Sequence, residues 1–123
     1  VERVIVCGSR KWTDRARISD RLFDLSLEME NLSCTLVHGN APGADMLCEQ
    51  VGSQLGFLIE PWDYRQFISA SVAPKVAPLA RNTHMASLGA RLCIAFWDGR
   101  STGTVDMMQK ARIFGIPVDE ITP

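Results

Sequence analysis

Short apolar runs alternate along this chain with segments in which apolar residues recur every three or four positions. The runs at 3–7, 35–38, 57–59, 92–97 and 116–118 read as strands, and the first, second and fourth are continuously apolar. A strand covered on one face alternates, whereas a strand covered on both faces does not, so these runs predict a parallel sheet between two helical layers. Ile18, Leu22, Leu25 and Met29 recur at helical spacing behind a cap at Thr13 or Asp14, and Asn31 ends that pattern. Leu47, Val51 and Leu55 share one face of a second helix that starts near Pro42 and stops at Gly56. A third helix is expected over 78–88 before Gly89, and a fourth over 103–114 before Gly115.

Strands alternating with helices in this way predict a Rossmann-like α/β three-layer sandwich. Right-handed crossovers favour a five-stranded parallel sheet of order 3-2-1-4-5. Ligands of such sheets bind beyond the carboxyl ends of the strands, where the order reverses. That rule directs attention to three loops. After the first strand, Gly8 admits close backbone approach, Ser9 carries a hydroxyl and Arg10 a guanidinium able to grip phosphate. After the second, His38, Gly39, Asn40, Ala41, Pro42, Gly43, Ala44 and Asp45 open a helix whose free N–H groups attract anions. His38 there reads first as a structural imidazole, and Asp45 suits the helix dipole whether or not it meets a ligand. After the fourth, Gly99, Ser101, Thr102, Gly103 and Thr104 crowd glycines and hydroxyls before another helix, the strongest phosphate signal in the chain.

The last loop is not a P-loop, because its glycine spacing is wrong and no lysine precedes Ser101 or Thr102; a dinucleotide fingerprint is absent too. Trp12, Trp62 and Trp97 are core aromatics by default, with Trp62 kept as a candidate for stacking on a base. The long stretch 61–77, with Trp62, Tyr64 and Phe67, is a candidate lid.

The 123 residues suffice for a single domain over 1–123, and a net charge of −1 with mixed signs disfavours indiscriminate nucleic-acid binding. No run approaches the ~20 apolar residues of a membrane span, so a cytoplasmic protein is expected. Cys7, Cys34, Cys48 and Cys93 lie in apolar segments without metal-ligand spacing and read as reduced, buried thiols; no metal and no cofactor are expected.

The pieces Val6-Cys7-Gly8-Ser9-Arg10, His38-Gly39 to Gly43-Ala44-Asp45, Arg81-Asn82 with Met85, and Gly99 to Thr104 with Asp106-Met107 resemble the YspA-related branch of the SLOG superfamily. That superfamily joins the Smf/DprA proteins to the LOG phosphoribohydrolases, also labelled lysine decarboxylase-like. The resemblance implies binding of nucleotides or their derivatives, frequent self-association and, in LOG enzymes, hydrolysis of the N-glycosidic bond of a nucleoside 5′-monophosphate. It adds Arg81 and Asn82 to the ligand-binding candidates. LOG enzymes end their glycine-rich loop in Gly-Thr-x-x-Glu, but here Gly103-Thr104-Val105-Asp106-Met107 puts methionine where the catalytic glutamate belongs. Adjacent helical residues point about 100° apart, so Asp106 does not simply replace that acid.

The expectation is a module that binds or senses a nucleotide-derived small molecule. The alternative is an N-glycosidase, with Arg81, Asp106 and Asp45 as its catalytic candidates. Single-stranded DNA binding and a scaffold role stand behind these.

Overall fold

The computed structural model describes residues 2–30 and 32–123. The strands β1 (Glu2–Gly8), β2 (Cys34–His38), β3 (Leu58–Pro61), β4 (Leu92–Phe96) and β5 (Val118–Ile121) form one all-parallel sheet of order β3-β2-β1-β4-β5. This is the predicted Rossmann-like arrangement. The helices α1 (Arg15–Glu28) and α2 (Ala44–Gln54) cover one face, and α3 (Ala77–Ser87) and α4 (Thr102–Ile113) the other. Successive residues of a strand point to opposite faces. Val4, Val6, Leu36, Ile94 and Phe96 therefore meet Ile18, Leu22, Cys48 and Val51, while Ile5, Val37, Cys93 and Ala95 meet Met85, Met107, Met108 and Ala111. Both residue sets are apolar because both faces are covered, which is why the central strands show no alternation.

Two local expectations shift. The fifth strand was expected over 116–118 but begins at Val118. Ile116 is buried yet sits in the turn after α4, its N–H bonded to Ala111 O at 2.8 Å, so hydrophobicity there marks packing of the turn rather than pairing. Phe57, expected to open the third strand, instead closes α2 through its N–H to Gly52 O at 3.0 Å. Of the two proposed caps for α1, Asp14 serves, its side chain accepting from Arg17 N. Asn31, expected to end that helix pattern, lies outside the described residues.

The stretch 61–77 holds a short 3-10 helix, Tyr64–Phe67, closed by a reciprocal box in which Asp63 and Gln66 bond each other's backbone. Trp62 and Phe67 pack on His84 of α3, with ring centroids 4.5 and 5.2 Å from the imidazole, and Trp62 Nε1 donates to Glu60. Trp62 and Phe67 of the expected lid are thus docked against α3, and Trp62, though it follows the carboxyl end of β3, is turned to His84 and Glu60. Cys7, Cys34, Cys48 and Cys93 are all free and buried. Among the described residues no helix is long and apolar enough to cross a membrane.

Candidate functional site

Beyond the carboxyl ends of β1 and β4, where the sheet order reverses, the loops and α3 enclose an open cavity of about 900 Å³. Its wall includes Gly8, Ser9, Arg10, Gly39, Asp45, Arg81, Asn82, Ser101, Thr102, Gly103 and Thr104, gathered from four separate segments. Gly43 and Gly99 stand behind that wall and shape the loops. Asp106 is not part of it either: its carboxylate accepts from Asn82 Nδ2 at 3.0 Å and pairs with Lys110, turning toward α3. Met107, buried at 1 % exposure, faces the cavity instead.

The glycines act first on the protein itself. Gly43 has φ +78°, and a Cβ there would collide with the backbone of Ser9 and Arg10, so only glycine lets the second loop lie on the first. Ala44 N then donates to Ser9 O at 3.1 Å, tying α2 to the end of β1. At Gly39 a Cβ would stand 2.6 Å from Arg81 Cζ. The close approach expected of a ligand is here made by a guanidinium, whose Nη1 donates to Gly39 O at 2.8 Å and whose Nε donates to Asn82 Oδ1 at 3.1 Å. Gly103 differs, because a Cβ added there meets nothing.

The hydroxyls are similarly divided. Ser9, buried at 2 %, donates to Asp98 Oδ2 at 2.7 Å and accepts from Lys11 N. Thr104, also buried, donates to Ser101 Oγ at 2.8 Å. Ser101 caps α4 by accepting from Thr104 N and so receives two hydrogen bonds, while its own proton has no acceptor among the described residues. The N–H groups of Thr102 and Gly103, in the first turn of α4, likewise have no partner among the described residues, and both residues are exposed in the cavity wall.

Asp98 opens this loop in the sequence, where it was given no role of its own. Its Oδ1 accepts from Arg100 N and Ser101 N, both at 2.9 Å, and with the Ser9 bond these hold its carboxyl down at about 2. An aspartate directly before Gly99 is the signal for that bracing role. Asp45, buried at 5 %, accepts from Gly39 N at 3.0 Å and Ala41 N at 3.2 Å, both on Oδ2, and so braces the second loop. Burial pushes its carboxyl up, against the pull of those amides and of Arg81. His38 is fully buried; Asn40 N donates to Nδ1, which leaves the ring proton on Nε2, 3.0 Å from Glu49 Oε1. It is a loop brace outside the cavity wall.

Five cationic side chains, Arg10, Lys11, Lys75, Arg81 and Arg100, line the cavity, against the two braced acids Asp45 and Asp98. Lys75 is the contribution of the expected lid. Burial draws the Arg81 guanidinium below its ordinary value, and nearby Arg10 adds to that effect while Asp45 opposes it. The wall also has an apolar part, with Cys7, Pro78, Leu79, Met85 and Met107. The site is therefore amphipathic, combining cationic side chains and open helix N–H groups with apolar side chains.

Residues 2–60 match the family described as the YspA, cpYpsA-related SLOG family. The Gene 61 protein of Mycobacterium phage D29 is 35% identical over 127 residues, covering 96% of this chain and 94% of that protein. The crystal structure of DNA processing protein A (DprA) from Streptococcus pneumoniae superimposes with a TM-score of 0.73 at 21% identity, over 97% of this chain and 50% of its own. The chain thus spans half of that neighbour, and the likeness is one of fold.

Proposed function

The chain belongs to the SLOG superfamily, in its YspA-related family, and on that premise we propose that it binds or senses a nucleotide or nucleotide-derived ligand in this cavity. The observation that carries the reading is the meeting of the uncapped N–H groups of Thr102 and Gly103 with the unbonded Ser101 hydroxyl proton in a cavity whose wall also carries five cationic side chains. A phosphate satisfies all of them together. The helix dipole contributes ~0.3–1 kcal/mol toward such an anion. Each charge-assisted hydrogen bond adds ~1.5–3 kcal/mol. The apolar flank around Leu79 and Met85 suits the face of a base.

Glycosidic hydrolysis receives less support. Oxocarbenium-like cleavage needs a carboxylate beside the sugar. Met107 occupies the cavity face of α4 and Asp106 faces Asn82 and Lys110, so α4 supplies no such acid and Asp45, braced through Oδ2 by two amides, is the candidate left for it. DNA binding by analogy with the DNA processing neighbour would require the cationic rim to track a backbone rather than close on one ligand.

Calorimetric titration with AMP and ADP-ribose tests the reading. Saturable binding is expected, weakened about 10- to 100-fold by Arg10→Ala, whose exposed side chain makes no hydrogen bond among the described residues. Absence of heat for either ligand at millimolar concentration would refute it. A steep loss of oligonucleotide binding with added salt, and no binding of mononucleotides, would shift the function to DNA.

A further inference from the structure

The cavity holds two carboxylates in a field of cations, and they are not equivalent. Both oxygens of Asp98 are occupied, Oδ1 by two backbone N–H groups and Oδ2 by Ser9. Asp45 uses Oδ2 alone, for Gly39 N and Ala41 N. Its Oδ1 receives no hydrogen bond among the described residues, and Arg81 comes no closer than an unpaired neighbour, since no ion pair joins the two. Nor is Oδ1 sealed away: among the described residues the buried side-chain atoms without a partner are Arg3 Nη2 and His84 Nε2. An acceptor on a side chain 95 % withdrawn from solvent, in the wall of a cavity, is an aimed group.

Its chemistry restricts what it meets. Phosphate is repelled by a carboxylate and has better partners at α4. A ligand ammonium or a metal cation would satisfy Oδ1, but Arg81 and Arg10 stand beside the same space and oppose a further positive charge. A neutral hydroxyl donor remains, and it gains most from a charged acceptor in a desolvated wall.

Resting on the nucleotide reading above, we propose that Asp45 Oδ1 accepts a hydrogen bond from a ribose hydroxyl of the bound ligand, so that the cavity selects ribonucleotide-derived over deoxyribonucleotide-derived molecules. The phosphate then lies toward Ser101, Thr102 and Gly103, and the sugar edge lies toward α2. A site built to bond a hydroxyl rejects the analogue lacking it, because the buried acceptor is left unpaired. One such charge-assisted bond corresponds to a preference of about 10- to 100-fold.

The test compares AMP, 2′-deoxy-AMP and 3′-deoxy-AMP by calorimetry on the whole chain and on Asp45→Asn. Asparagine keeps an oxygen for Gly39 and Ala41 but presents an N–H₂ donor to the cavity. The wild type is expected to bind AMP about 10- to 100-fold more tightly than one or both deoxy analogues. The variant is expected to lose that preference while binding the weaker analogue as the wild type does. Equal affinities of the three nucleotides for the wild type, or a preference retained in a folded Asp45→Asn, would overturn the inference and leave nucleotide binding standing. Failure of all three to bind would overturn both. The wild-type comparison needs no variant and decides the matter even where Asp45→Asn folds poorly.

Discussion

A single methyl group separates two kinds of glycine around the cavity. A Cβ at Gly39 meets the Arg81 guanidinium, whereas one at Gly103, in the cavity wall, meets nothing. Gly103→Ala is expected to stabilise the fold by ~0.5–1 kcal/mol, as alanine replaces glycine within a helix, yet to weaken AMP binding. Gly39→Ala is expected to lower both; melting curves paired with titrations decide the pair. The two acids respond to pH in opposite senses. The Asp98 carboxyl is lowered to about 2 from the usual 3.8, so its contribution to stability is fully present above pH 4 and is lost as pH falls toward 2. Asp98→Asn should remove that acid transition from a pH series of melting temperatures. Asp45 is raised by burial, so its ionised form costs the fold stability at neutral pH and protonation relieves it. Asp45→Asn should therefore melt no lower than wild type at pH 7, and a marked loss would mean that both oxygens carry structure.

At the scale of elements, α1 and α4 begin alike, with Asp14 and Ser101 accepting from the third residue of each helix. Removing either cap with alanine should cost ~1 kcal/mol. Only Ser101→Ala should also weaken nucleotide binding, because Asp14 lies outside the cavity wall; equal binding losses in the two variants would deny α4 its role. Elements were legible in proportion to burial. The central strands β1, β2 and β4 announce themselves as apolar runs, because both faces are covered. The edge strand β5 carries Asp119 and Glu120, which blurs its pattern, and the 3-10 turn at Tyr64 rests on an Asp63 and Gln66 box too short to show periodicity. The loops of the site were legible from glycine and hydroxyl content, but the division of labour within them was not. Ser9 and Thr104 spend their protons on protein, a choice set by neighbours distant in sequence.

At the scale of the whole molecule, the net charge of −1 conceals a local excess. Arg10, Lys75, Arg81 and Arg100 are scattered along the chain and become one positive rim only when the crossovers bring their loops to the same end of the sheet. Nucleotide affinity should fall as ionic strength rises, since much of that rim is exposed and screened over ~8–10 Å. The buried thiols give a check on the fold as a whole. Burial pushes Cys34 up to about 11 and also raises Cys48 well above its ordinary value, so the native protein should react slowly with a thiol reagent and yield all four cysteines only on denaturation. The cavity, finally, is built from two unlike halves. On the side of α2, Gly43 presses backbone on backbone and Gly39 presses backbone on guanidinium, leaving no room for change; on the side of α4, Gly103 opens onto empty space and Arg100 and Thr102 are exposed. Sequence drift between relatives can therefore retune what is recognised through residues 100–103 without disturbing the scaffold, while any inherited alteration at Gly39 or Gly43 must be matched by another across the loop it touches.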